Sequence, residues 1–215
     1  MACGKESDSR SQAGAGKTKL VSRVIDHISN GLCDQALAYF YCNRNDHIRR
    51  DPEQVLRSFV KQLSFSQDES VLHNALVGVY KKKKLTGFAS GKLTFDESQS
   101  LLSVLIQAYS RTVLILDALD ESEKPARVKL IEVFDQLVAT SPRLKILISS
   151  RCDDDIKRQL EKRANVAIEA TDNADDISKF ITEKISQDQK YRRKAISKSL
   201  QNNIIQTLSE KSQGM

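Results

Sequence analysis

Four groups of residues in this sequence could do chemistry together. The first is Gly14-Ala15-Gly16-Lys17-Thr18. Glycines let a backbone close on an anion, a lysine adds a point charge, and a threonine hydroxyl suits a hard divalent cation. The pattern is most of the phosphate-binding loop G-x-x-x-x-G-K-[ST], with Ser11 standing where its leading glycine would be. The second is Asp117, which follows the apolar run Val113-Leu114-Ile115-Leu116 directly. A carboxylate there can hold Mg2+, either by itself or through water. The third is Asp120-Glu121, either of which could orient or deprotonate an attacking water. The fourth is Ser149-Ser150-Arg151, whose arginine could touch a terminal phosphate. An acidic start to the next helix accounts for Glu121 and Glu123 as well. It does not explain why an aspartate ends so apolar a strand.

These residues need a frame that brings them to one edge. Leu20, Val21, Val24, Ile25 and Ile28 fall at helical spacing, so the loop opens a helix from Lys17 to Asn30 with Gly31 as its stop. The amide-rich start of a helix favours phosphate. Buried strands are predicted at Leu37–Tyr41, Val113–Leu116 and Leu144–Ile148, with a weaker one at Val166–Ile168. Between them, Asp51 reads as an N-cap, Pro52 as the first turn and Gln54 as the partner in a capping box. Val55, Leu56, Phe59, Val60 and Leu63 make that helix's inward stripe. Lys81 to Thr94 reads as a loop and Leu101 to Tyr109 as a helix. Pro125 to Thr140 is predicted helical, with Val128, Ile131, Phe134, Leu137 and Val138 inward. From Asn173 the pattern is helical only. Alternating strands and helices predict an α/β fold with three layers, a mostly parallel sheet covered on both faces. In such sheets ligands sit beyond the carboxyl ends of the strands. The expected division is an irregular segment at 1–12, an α/β core at 13–172 and a second, helical piece at 173–215. The apolar strand that should precede a phosphate loop is missing from the polar stretch at residues 1–13.

Composition narrows the alternatives. The chain has 215 residues, enough to bury a sizeable core, and 40% are hydrophobic, as in globular proteins. No apolar run is long enough to span a bilayer, and the first residues lack the apolar stretch of a secretory signal. Cys3, Cys33, Cys42 and Cys152 have no C-x-x-C spacing, which argues against a zinc site and suits a reducing, cytoplasmic location. The net charge of +6 permits contact with phosphates without demanding nucleic acid. Lys81 to Lys84, with no interleaved aromatics, read as a solvated helix end.

Taken in order, Ala13-Gly14-Ala15-Gly16-Lys17-Thr18, then Leu114-Ile115-Leu116-Asp117-Ala118-Leu119-Asp120-Glu121, then Ile148-Ser149-Ser150-Arg151, the sequence resembles the NACHT domain. NACHT domains are P-loop NTPases of the STAND class, found in NOD-like receptors, and the likeness is to the fungal, nephrocystin-3-like type. Tyr39-Phe40-Tyr41, Asp51-Pro52, the stretch from Leu56 to Leu63, and Asp175-Asp176-Ile177 carry it further. The resemblance implies that Ala13, Gly14, Ala15, Gly16, Lys17, Thr18 and Lys19 form the nucleotide-binding loop. It implies that Thr18 and Asp117 hold Mg2+, that Asp120 and Glu121 position the hydrolytic water, and that Arg151 senses the γ-phosphate. The implied activity is binding of ATP or GTP with Mg2+ and slow hydrolysis in a signalling switch that self-associates, in fungi within nonself recognition and programmed cell death. No membrane contact is expected. By the same resemblance the core at 13–172 binds the nucleotide and the helical piece at 173–215 is a partial helical lid. Because Ser11 departs from the motif and the chain ends inside a helical pattern, a truncated product with an incomplete lid is also expected. Two other functions stay open: a non-hydrolysing interaction module of the same fold, and a nucleic-acid-dependent ATPase.

Overall fold

The computed structural model describes residues 16–31, 35–65, 74–87, 91–168, 174–192 and 197–212. The chain divides into two compact units. The larger, Thr18–Lys162, contains a three-stranded parallel sheet in the order β1 (Gln35–Tyr41), β2 (Arg111–Asp117), β3 (Leu144–Ile148). The register pairs Gln35 with Arg111 and Tyr41 with Asp117, and Thr112 with Leu144. The carboxyl ends of the strands therefore come out side by side.

The central strand explains the layering. Side chains alternate along β2, so Val113 and Ile115 face one side and Leu114 and Leu116 the other. On the first side, Val113 and Ile115 pack with Val21 and Ile25 of α1 (Lys17–Asn30), which lie one turn apart. On the second side, Leu114 and Leu116 join Ala36 and Ala38 of β1 in a larger core. Helices α2 (Pro52–Leu63), α4 (Phe95–Gln107) and α5 (Lys124–Thr140) complete that core. Both faces of β2 are covered, which is why it reads as an unbroken apolar run rather than an alternation. The architecture is the α/β, P-loop NTPase-like fold expected.

Local signals set the helix limits. Asp51 caps α2 by accepting from the Glu53 N–H at 2.9 Å, and Pro52 occupies the first turn. The predicted box partner Gln54 instead gives its backbone N–H to the Asp51 carbonyl. A capping box is found at Thr94, which exchanges hydrogen bonds with Glu97 and starts α4 at Phe95, six residues before the predicted helix. Glu97 also pairs with Lys83 at 2.8 Å. Lys81 to Lys84 form the helix end expected of them, in the last turns of α3 (Asn74–Leu85), so the loop predicted from Lys81 starts only after Leu85. Gln62 of α2 closes part of the outer edge of β1. Its side-chain amide accepts from the Tyr39 N–H at 3.0 Å and donates to the Tyr39 carbonyl at 2.8 Å, the pair of bonds a neighbouring strand would make.

Two predicted faces turn out differently. In α5 the buried side chains are Arg127, Leu130, Ile131, Val133, Phe134 and Leu137, whereas Val138 is exposed and Val128 only half-buried. The helix is rotated because Arg127 takes an inward position. Val166–Ile168 is not a strand, and Val166 is almost fully exposed, so this short apolar run buries too little to hold one. A short helix, α6 (Asp154–Leu160), follows β3 and buries Ile156. The second unit includes the chain from Arg163 onward. Its described helices are α7 (Ala174–Arg192) and α8 (Lys198–Ser212), which pack together. In α7, Ile181 and Ile185 are buried and Phe180 is exposed.

Candidate functional site

Asp117 is the last residue of β2 and is only 2% exposed. Such a carboxylate must have partners. It has two, from distant parts of the chain. The Thr18 hydroxyl donates to Oδ2 at 2.7 Å across 99 positions of sequence, and the Ser149 hydroxyl donates to Oδ1. Thr18 gets there because α1 begins one residue earlier, at Lys17, after a turn in which Gly16 has φ +78°. That left-handed backbone is open to glycine and strained for other residues.

Ser149 binds the ends of β2 and β3 together. Besides serving Asp117, its Oγ accepts the Ala118 N–H at 3.1 Å, and its carbonyl accepts the Leu119 N–H at 3.0 Å. Its own N–H donates to the Leu116 carbonyl at 2.9 Å. The chain turns sharply here. Ala118 is, among the described residues, the one non-glycine with positive φ, at φ 57° and ψ 49°. The turn leads into a 3-10 segment, Leu119–Glu121, which brings Asp120 back toward the same edge.

Asp120 is also buried. Its Oδ1 accepts the Arg151 N–H at 2.9 Å, while Oδ2 has no hydrogen-bond donor. Two guanidinium groups stand near Oδ2, Arg151 at 3.6 Å and Arg44 at 3.8 Å. Glu121 accepts the Arg44 N–H at 3.2 Å, and Glu123 pairs with Arg50 at 3.1 Å. An open cleft of about 520 Å³ lies here, with Arg44, Asp120, Glu121, Lys124, Arg151 and Asp153 in its wall.

Beneath the cleft, Arg127 is fully buried. It donates to both carboxylate oxygens of Asp155, to Asp153 at 3.0 Å and to the Asp120 carbonyl at 3.2 Å. Burial works against its charge, and the hydrogen bonds it donates to Asp155 and Asp153 more than offset this, so its pKa lies above the ordinary arginine value. The same bonds hold the Asp155 carboxyl below its usual range. Cys42, just past β1, has its thiol pushed up to about 11, chiefly by burial, with the Ser122 hydroxyl at 3.3 Å acting the other way.

The structure thus brings together Thr18, Asp117, Asp120, Glu121 and Arg151 at one sheet edge. Lys17 is the first residue of α1, and Lys19 lies exposed on that helix. Ala13, Gly14 and Ala15, with Ser11, lie outside the described residues. Sequence reasoning missed Arg44, Arg127 and the bridging part of Ser149. Ser149 could have been found, since a hydroxyl at a strand end next to a carboxylate strand is a natural partner. Nothing local marks Arg44 or Arg127.

A hydroxyl and a carboxylate in direct contact are the hard oxygen donors that Mg2+ takes, and the rest of its octahedron normally comes from phosphate and water. The fit is to that arrangement and not to an all-protein cage. Among the described residues no group of three or more His, Cys, Asp or Glu could hold a metal ion alone.

The chain is 30% identical over 184 residues to the vegetative incompatibility protein HET-E-1 of Podospora anserina, a match that covers 81% of this chain and 13% of that protein. The chain therefore spans a small part of that relative's length. The family described as nephrocystin 3, N-terminal, matches residues 9–151, more than half of the chain. With that match, the chain belongs to the nephrocystin 3 N-terminal family and is a NACHT-related domain.

Proposed function

We propose that this domain binds a purine nucleoside triphosphate with Mg2+ and hydrolyses it slowly, as the switch of a fungal NOD-like signalling protein. The observation that carries the proposal is the contact between Thr18 and Asp117, which joins the residue after the phosphate-loop lysine to the acidic end of the central strand. Gly14, Gly16, Lys17 and the first amides of α1 would take the phosphates. Thr18 and Asp117 would hold Mg2+, which, when bound, neutralises charge on the phosphate oxygens. Ser149 keeps the Asp117 carboxylate oriented. Asp120 and Glu121 would orient the attacking water, and Arg151 would face the terminal phosphate. The relative is a vegetative incompatibility protein, and by that likeness the domain would serve nonself recognition; its place would be the cytoplasm, with self-association through this domain in the full-length protein. In that setting α7 and α8 would belong to the lid. Among the described residues no helix is long and apolar enough to cross a membrane.

The test is a thermal-shift series with ATP, GTP, ADP and GDP, each with Mg2+. A ligand that binds only the folded chain stabilises it by about 2.7 kcal/mol at a hundred times its dissociation constant. We expect such a shift for a triphosphate in the wild type and none for Lys17→Ala. Equal shifts in both proteins, or none in either, defeat the proposal.

A further inference from the structure

The cleft beside Asp120 contains an unsatisfied group. Oδ2 of a buried carboxylate takes no hydrogen bond, though two guanidiniums stand within 3.8 Å of it. At 3.6 and 3.8 Å these contacts are Coulombic and beyond hydrogen-bond range. Both cations also reach water, with 58% of the Arg44 side chain and 42% of the Arg151 side chain exposed. Pairs of that kind hold weakly, and a stronger anion can draw the cation away. By contrast Arg50, on the same loop as Arg44, is already engaged by Glu123 at 3.1 Å.

The backbone that carries Arg44 is held firmly at the sheet edge. Cys42 N–H donates to the Asp117 carbonyl at 3.0 Å, which ties the start of the loop to the metal-side aspartate. Asn43 accepts the Asn45 N–H at 2.9 Å, and Asp46 accepts the Ile48 N–H at 2.9 Å. The Arg44 N–H is itself fixed by Glu121. The loop is therefore a stiff bracket with a loosely tethered guanidinium at its tip, aimed at the same carboxylate as Arg151.

From this we infer that Arg44 is a second anion-contacting residue of the site, and that it reads the terminal phosphate which distinguishes triphosphate from diphosphate. Arg44 and Arg151 converge on Asp120 from the loops after β1 and β3. A terminal phosphate in the cleft offers both arginines a doubly charged partner with forked geometry. Asp120 parks the two cations when that phosphate is absent. The inference rests on the nucleotide reading above and adds to it a residue outside the NACHT-like motifs.

The experiment is calorimetric titration of the 215-residue chain with Mg-ATP and with Mg-ADP, for wild type, Arg44→Gln and Arg44→Lys. If GTP is the nucleotide bound, the GTP and GDP pair replaces them. Losing a charge-assisted contact predicts at least about a tenfold weaker triphosphate affinity in Arg44→Gln, with diphosphate affinity unchanged. Arg44→Lys, which keeps the charge and loses the fork, falls between. Because the side chain is mostly exposed, both variants keep the ligand-free melting temperature. A wild type that binds while Arg44→Gln binds both nucleotides as tightly, or loses both equally, overturns this inference alone. A wild type that binds neither overturns the nucleotide reading and this inference with it.

Discussion

Arg127 offers the sharpest test of how the site is supported. Replacing it with methionine keeps much of the volume and removes the charge. Three acceptors then lose their donors: the carboxylates of Asp155 and Asp153, and the Asp120 carbonyl. Breaking a fully buried ion pair from one side costs about 3–5 kcal/mol. Here the partners reach water in part, with Asp155 25% and Asp153 38% exposed, so the penalty is smaller. Discounting for that solvation, Arg127→Met should destabilise the Thr18–Lys162 unit by about 2–3 kcal/mol. With a urea dependence of about 2 kcal/mol per molar, the midpoint falls by about 1 M. The chain has no tryptophan, so far-ultraviolet circular dichroism is the probe. Two further measurements separate the causes. Adding Asp153→Asn and Asp155→Asn to Arg127→Met should recover much of the loss, because the cost is stranded charge rather than lost attraction. Asp155 has a lower pKa folded than unfolded, so its contribution is present above its ordinary value of 3.8. It is lost as pH falls through the depressed folded value. The gap between wild type and Arg127→Met must therefore close in acid. A midpoint shift under 0.2 M, or a triple variant no better than the single one, refutes the reasoning.

Two other outcomes follow from the same region. Ala118 sits in the left-handed backbone region, which costs an L-residue about 1–2 kcal/mol and a β-branched one more. Ala118→Val should thus lower stability by at least about 1 kcal/mol while Ala118→Gly does not, and a glycine variant with the lower melting temperature contradicts this. Cys42 is buried with its thiol near 11, whereas Cys152 is exposed. Iodoacetamide at pH 8 should alkylate Cys152 and spare Cys42 until the chain unfolds, as read by peptide mass mapping; equal rates in the native protein would show that Cys42 is not sealed.

The legible part of this molecule is the part written in local patterns. The limits of α1 and α2 follow from apolar spacing, from Gly31 and from Asp51-Pro52, and the observed helices keep those limits. β2 was visible as an apolar run because both of its faces are covered, and Asp117 stood out because it breaks that run at the sheet's carboxyl edge. The start of α4 is marked as locally, by the capping box Thr94-Phe95-Asp96-Glu97, but the polar stretch after it hides the helical period. Arg127 is a different matter. Counting apolar positions in α5 excludes a charged residue from the inward face by construction, and that forces Val128 and Val138 into its place. The residues that make its burial possible, Asp153 and Asp155, lie 26 and 28 positions away, beyond β3. Arg44 is likewise one polar residue in a polar loop until β1 and β2 pair in register and bring Tyr41 opposite Asp117. Local periodicity reports which side chains avoid water, and so it finds the sheet and the carboxylates at its edge. It carries no record of which charges meet once the strands align, and in this domain those meetings, Arg127 beneath the acidic loop and Arg44 beside Asp120, decide how the carboxylates are held.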